Sequence, residues 1–574
     1  MAAMPDRILA LHRIDLHSAA QLAQQLGPRP ADSTPVVTVL DPVLLTHARL
    51  NGVPQAQLQP TPDLDIAHGV TAQVLAATRA VCVAADAVVA GFIPAARGAA
   101  WCGHWLQYLH FTAIGYRQLA QRMLPAWAGN KLHVLLPDLP HRFGYHSFLP
   151  GMVLSDVARQ AGVAVQLYST PVPPWDEPLL PDPAEGQAAG SDAVDLLCHL
   201  PTCFYDAALF TTEIQAAGRT TLVLPSQLFN APVPGLPAAA MVPAQVLADR
   251  LPQAQRDRLE AVLDRLGGML TQHLQPLIPA PGPLAAQVRA LLGGYRLNAL
   301  LYLALVQRFA AAPPATLLLS NHDVGLHGAL LSFARAHGVR VVMVPHAKVY
   351  PDPLTSYGHD ILCLGHPLQG GDVLDLDSHR MPWAPLSFAE LRQAPSGAPR
   401  PLATLGVVLN AVSLNCMCWV DVQVYLDGLA RLRAWCADHG VACRIRCRPN
   451  GSVMSLLGEA LHLTDAELVR DQDGSIADFG RGCDLVLGYD VPTSGMLELL
   501  AAGVPCMQAL CRRLGPQEWR SLDAEVVPQL MLDDLAPRLA QFHRDGLALW
   551  QFGHAQASQC AARAAAARPL RAYL

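Results

Sequence analysis

Lysine is almost missing from this chain: of its 40 basic side chains two are lysine, Lys131 and Lys348, and 38 are arginine. Charge is scarce as well, at 15% of residues, and the net charge is −6. A domain that binds nucleic acid through a basic field is therefore excluded. Fourteen cysteines in 574 residues fall far short of a disulfide scaffold, and most lie in apolar stretches, as small buried hydrophobes do. A reducing cytoplasm suits them. Long uninterrupted apolar runs are lacking too. Segment 72–92 is broken by Arg79, Asp86 and Gly91 and reads as a buried helix, not a membrane span. The first ten residues lack the basic-then-apolar pattern of a leader. There is no internal repeat, no G-x-G-x-x-G, no Walker A segment and no nucleophile elbow.

Apolar residues, at 52%, supply more than one core, and 574 residues suffice for at least two domains. Short β-branched runs alternate with helix-length amphipathic stretches, the pattern of parallel α/β sheets. Strands are expected at 35–40, 132–136, 164–168, 193–197, 221–224, 316–319, 340–344 and 360–364. The Pro- and Gly-rich stretch 171–191 reads as a surface loop. Residues 244–309 carry a helical pattern, taken as an insertion. Segment 394–401 is the linker candidate. Beyond it the pattern restarts with strands at 405–409, 442–446, 484–488 and 504–508, helices at 420–439 and 494–502, and Gly503 as a helix stop. This predicts two doubly wound, Rossmann-like domains, 1–395 and 400–560, with a tail 561–574 and a last helix that crosses back to the first domain.

Three segments carry chemistry. In the first, a buried strand runs into Pro492-Thr493-Ser494 and then a helix containing Glu498. Either hydroxyl suits an ordinary helix cap, and the same groups suit a phosphate. In the second, strand alternation puts Arg444, Arg446 and Arg448 on one face. Guanidinium groups there require anions or carboxylates to meet them, and Arg448 stands at the strand's carboxyl end, where ligands bind in such sheets. In the third, two expected strands end in Ser320-Asn321-His322-Asp323 and in Pro345-His346-Ala347-Lys348. Neighbouring parallel strands lie about 4.8 Å apart, so His322, Asp323, His346 and Lys348 can share one ligand; Asp323 equally suits a helix cap. Cys416, Cys418, Cys443 and Cys447 lack the C-x₂-C spacing of a zinc set. Residues 141–148, with His141, His146 and several aromatics, suit either a sugar-stacking groove or a buried aromatic cluster.

The run from the strand through Thr493-Ser494-Gly495 and Glu498 to Ala-Ala-Gly-Val-Pro resembles the donor-nucleotide segment of GT-B glycosyltransferases. Arg448-Pro449 resembles an Arg/Lys-x-His-Pro segment of sialyl- and polymer-phosphate transferases, with no His before the proline and Asn450 after it. Val344-Pro345-His346 resembles the His-Gly turn of capsule-type enzymes, with Ala347 in place of Gly. The resemblance implies two doubly wound domains with a cleft between them, a nucleotide-sugar on the C-terminal side and a glycan or glycolipid acceptor on the N-terminal side. It implies donor contacts from Arg448, Pro492, Thr493, Ser494 and Glu498; the converging strand ends make Asp323, His346 and Lys348 the candidate reaction centre, with Asp323 as base or nucleophile. The capsule and lipopolysaccharide branch points to a CMP-linked acidic sugar of Kdo or sialic acid type. No metal or cofactor is expected, because none of these three segments carries an Asp-x-Asp clamp. A cytoplasmic place follows, with peripheral contact to the inner membrane compatible with a glycolipid acceptor. Two alternatives stay open: a nucleotide-sugar 2-epimerase, and a non-catalytic glycan- or partner-binding protein.

Overall fold

The computed structural model describes residues 6–10, 21–22, 25, 36–39, 58–60, 67–96, 98–137, 148–170, 193–199, 207–224, 251–319, 327–344, 361–368, 373–374, 380–387, 397–409, 422–447, 457–458, 461–464, 466–467, 471–472, 474–490, 493, 495–511 and 522–574. The expected α/β architecture with doubly wound parallel sheets is present, and the described residues form three such sheets.

The first has five parallel strands, β1 (Asp6–Ala10), β2 (Val36–Val39), β3 (Leu58–Pro60), β4 (Lys131–Pro137) and β5 (Ala164–Thr170), in the order β3-β2-β1-β4-β5. Helices α1 (Ala67–Val89), α2 (Gly98–Trp127) and α3 (Phe148–Gln160) belong to this unit. Alternation sends Leu132, Val134 and Leu136 of β4 into the main core. Its other face holds His133, whose Nε2 meets Asp6 Oδ1 and whose Nδ1 meets the Tyr168 hydroxyl, both at 2.8 Å.

The second sheet has six strands. They are β6 (Leu196–His199), β7 (Thr221–Val223), β8 (Thr316–Leu319), β9 (Arg340–Met343), β10 (Ile361–Gly365) and, after the small antiparallel pair β11 (Val373–Leu374) and β12 (Arg380–Met381), β13 (Trp383–Pro385). The order is β13-β10-β9-β8-β6-β7, all parallel. Its helices are α4 (Ala207–Ala216), α5 (Gln253–Leu274), α6 (Pro281–Phe309) and α7 (His327–His337). The span 1–395, expected as one Rossmann-like unit, thus carries two parallel sheets. The helical stretch expected as an insertion is α5 and α6. Leu263, Leu266, Leu270, Leu291, Leu305 and Phe309 of these helices share one buried cluster with Leu132 of the first sheet and Leu317 of the second. The helices are therefore part of the core that joins the two sheets, packed on α1, α2 and α7, and the buried face of an amphipathic helix reads the same in either role. Trp101 Nε1 donates to Ser332 Oγ (2.9 Å), tying α2 to α7.

The third sheet has β14 (Thr404–Leu409), β15 (Ala442–Arg446), β16 (Leu485–Tyr489), β17 (Cys506–Leu510) and β18 (Gln529–Met531), parallel, in the order β15-β14-β16-β17-β18. With it go α8 (Val422–Asp438), α9 (Ile476–Arg481), α10 (Gly495–Ala501), α11 (Leu532–Arg544) and α12 (Gly546–Ala565). Each face has its own core. Leu405, Val407, Leu487 and Tyr489 pack with Leu429, Leu539 and Phe542, while Val408, Val486 and Cys506 pack with Phe479, Leu497 and Leu499. Gly503 ends α10 in the left-handed region (φ 75°), as expected.

The chain end returns to the second sheet. Leu570 and Leu574 are buried against Leu196, Leu318 and Val342. Arg340 Nη2 donates to the carbonyls of Tyr573 (2.7 Å) and Leu574 (3.1 Å), and Arg571 N donates to Glu213 Oε2 at 3.0 Å. Among the described residues no helix is long and apolar enough to cross a membrane.

Candidate active site

In an open parallel sheet, ligands bind beyond the carboxyl ends of the strands where the strand order reverses direction. In the second sheet that point lies between β6 and β8, and in the third between β14 and β16.

At the second-sheet switch point, His199 ends β6 and His327 opens α7, with ring centroids 4.9 Å apart. Both are buried, at 1% and 5% exposure. His199 Nδ1 lies 2.8 Å from the Leu224 carbonyl. A carbonyl only accepts, so Nδ1 carries the proton. Burial lowers the His199 pKa against the opposing effect of that hydrogen bond, which keeps the ring neutral. Asn298 Oδ1 accepts from Ala329 N at 2.8 Å, and Asn298 Nδ2 donates to Gly294 O, so α6 holds the start of α7 in place. One strand further, buried His366 follows β10, and its Nδ1 accepts from Leu368 N (3.1 Å). Leu368 packs into the Phe479 and Leu497 cluster of the third sheet, and its carbonyl accepts from Asp523 N at 2.7 Å. The carboxyl end of β10 is thereby fastened to the C-terminal unit.

At the third-sheet switch point, Tyr489 ends β16 fully buried. Its hydroxyl donates to the Tyr425 carbonyl (2.8 Å), and the two rings meet edge to face with centroids 4.8 Å apart. Asp490 follows, fully buried, with a left-handed backbone (φ 56°). Its Oδ1 accepts from Cys511 Sγ at 3.1 Å. Burial, then the Asp490 charge, raises the Tyr425 pKa, and burial, then Cys511, raises that of Tyr489; both phenols stay protonated. Thr493 is half-buried, and its Oγ1 accepts from Gly495 N at 3.4 Å. Glu498 is exposed in the first turn of the seven-residue α10.

Of the expected site residues, Thr493 and Glu498 are described and lie at this switch point. Asp323, His346, Lys348, Arg448, Pro492 and Ser494 lie outside the described residues, as do His322, His141, His146, Cys416 and Cys418. The strands that lead to Asp323 and His346 are adjacent and parallel, with Leu319 opposite Met343. The arginine face of β15 meets protein groups. Arg444 Nη2 lies 2.8 Å and its Nε 2.9 Å from Oδ1 of buried Asp471. Arg446 donates to the carbonyls of Asp471 and Gly474, and both guanidinium groups lie over the Phe479 ring. These two arginines are structural. Sequence reasoning passed over His199, His327, Tyr425, Asp490 and Gln508. For His199 and Asp490 a signal existed, since each stands at the end of a short apolar run; for Tyr425 and Gln508 none did.

No protein-family model matches the sequence, and no curated protein matches it. Several solved structures align with it, among them two glycosyltransferases. The Streptomyces sp. SF2575 glycosyltransferase SsfS6, complexed with thymidine diphosphate, is 15% identical, with 64% of this chain and 95% of that chain covered and a TM-score of 0.29. The glycotransferase of kitacinnamycin is 12% identical, with the same coverage and a TM-score of 0.30.

Proposed function

We propose that this chain is a glycosyltransferase that moves a sugar from a nucleotide-sugar to a glycan or glycolipid acceptor. The observation that carries this reading is the third-sheet switch point. There a buried strand end, a fixed turn at Asp490, the Thr493 hydroxyl and Glu498 lie together, and the segment resembles a GT-B donor site. The donor's nucleotide would lie against Thr493, Ser494 and Glu498, with Arg448 and Pro492 beside it. The acceptor would lie against the strand ends of the second sheet.

In the step itself the acceptor hydroxyl gives its proton to the Asp323 carboxylate. Its oxygen forms a bond to the anomeric carbon, and the anomeric C–O bond to phosphate breaks. The electron pair leaves with the nucleotide, whose charge His346 and Lys348 offset. The favoured donor is a CMP-linked acidic sugar, whose carboxylate suits Lys348, and the favoured product is a bacterial surface polysaccharide. No metal is required in this scheme.

The test is nucleotide release from CMP-, UDP-, GDP- and CDP-linked sugars by the purified full chain, with and without EDTA. EDTA-insensitive release from a CMP-sugar is expected. Release from another donor corrects the sugar assignment, and EDTA-sensitive activity overturns the metal-free scheme. Absence of binding or release across the panel overturns the glycosyltransferase reading.

A further inference from the structure

A glutamine in the middle of a buried sheet face needs a reason, because an amide taken out of water is unfavourable unless bonded. Gln508 lies in β17, fully buried, directly opposite Gly488 of β16. Its Nε2 donates to the Asp490 carbonyl at 2.8 Å. The amide reaches that carbonyl because Gly488 has no side chain. A Cβ there would overlap Gln508 Oε1 and stand 3.0 Å from Met496 Sδ.

Asp490 is held from three sides by one stretch of chain. Its N–H donates to Ala509 O (2.8 Å), its carbonyl accepts from Gln508, and its carboxylate accepts from Cys511. Among the described residues only Asp490 and His462 have a positive φ without being glycine. Such a backbone persists where its surroundings over-determine it, and it concentrates at functional turns. Three residues on, the Thr493 carbonyl accepts from Met496 N at 3.1 Å and starts α10.

We propose that Gln508 is a positioning residue for the donor nucleotide: its amide, laid across Gly488, holds Asp490 in the left-handed conformation and so sets where Thr493 and the start of α10 stand. This rests on the donor-site reading above. Gln508 is fully buried and acts through the turn without touching the ligand. Its loss therefore weakens every nucleotide by the same factor and leaves the preference among bases unchanged.

Two variants remove the bond by different routes. Gln508→Met keeps length and approximate volume and deletes the donor, while Gly488→Ala displaces the amide. Hydrogen exchange at Asp490, Thr493, Gly495 and Met496 reads the turn directly. About ten-fold faster exchange there is expected in both variants, with the amides of Leu539 and Phe542 unchanged. Calorimetry with CMP, UDP, GDP and CDP reads the consequence: about ten-fold weaker binding of whichever nucleotides bind, in the same order of preference, with the double variant no worse than the weaker single one. Unchanged exchange at the turn overturns the proposal. So does faster exchange with wild-type affinity, which would make the bond merely structural, and so does a changed order of preference, which would mean direct contact. A wild-type chain that binds none of the four overturns the donor-site reading and the nucleotide role of Gln508 with it; the exchange data then still decide whether the bond fixes the turn.

Discussion

The second and third sheets share a winding pattern and differ in what stands at their switch points. The second presents two buried imidazoles, His199 and His327, against each other, His199 kept neutral by its burial. The third presents a buried carboxylate, Asp490, on a left-handed backbone between two protonated phenols and a strand that bonds it. Their cores differ as well. One face of the second sheet shares a core with the first sheet, whereas neither core of the third includes a strand residue of another sheet. The lesson is that one architecture can make one switch point sensitive to protons and the other rigid. Burial moves the His199 pKa below the ordinary imidazole value, so that ring takes up its proton only in acid, while Asp490 is held in place by bonds to residues 508–511.

The sharpest way to break the rigid side is Tyr489→Ala. The side chain is fully buried and fills the space against Tyr425, so its loss should destabilise the C-terminal unit by about 3–5 kcal/mol, read by urea unfolding. Next comes Arg444→Met. It strands the carboxylate of Asp471, which is 2% exposed, and should cost about 3 kcal/mol while nucleotide affinity stays at the wild-type value. Loss of affinity at unchanged stability would restore Arg444 to the ligand-binding set.

Acid should sharpen the contrast from the other side. Burial, and then His273, lowers the His110 pKa from 6.5 to about 4; its Nδ1 lies 2.9 Å from Thr78 Oγ1. A folded pKa below the unfolded one means that the unfolded chain takes up the proton first. The stabilisation is complete above pH 6.5 and is lost as pH falls from there towards 4. At pH 5 the loss from His110 is about 2 kcal/mol, and His199 shifts in the same direction. Unfolding followed between pH 7 and pH 5 should show the two-sheet unit weakening more than the C-terminal one. Equal acid sensitivity would remove the contrast. The smallest effect is expected from Tyr489→Phe, which loses one hydrogen bond and about 1 kcal/mol.

Period and punctuation made much of this fold legible. The strands 316–319 and 442–446 were placed to the residue, because apolar runs bounded by Pro, Gly and polar residues mark buried strands. The stop at Gly503 followed from its chemistry. The division of 1–395 into two sheets was not legible: β1 and β3 are short and one sheet's helices pattern like the next one's. The structural role of Arg444 depended on Asp471, 27 residues away, and spacing along a strand says nothing of such a partner. The turn at Asp490 depends on Gln508 across the sheet, a pairing set by register. Sequence period shows which face a residue takes and leaves open what it meets there.

In the proposed function a nucleotide lies at the third-sheet switch point, against Thr493 and Ser494. Calorimetric titration of CMP, UDP, GDP and CDP into the wild-type chain and into Ser494→Ala tests it most directly. One site for a preferred nucleotide is expected, weakened in the variant by about 1–2 kcal/mol, roughly five- to thirty-fold, with the unfolding temperature unchanged. Equal affinity in the two proteins, or no binding to either, would contradict it.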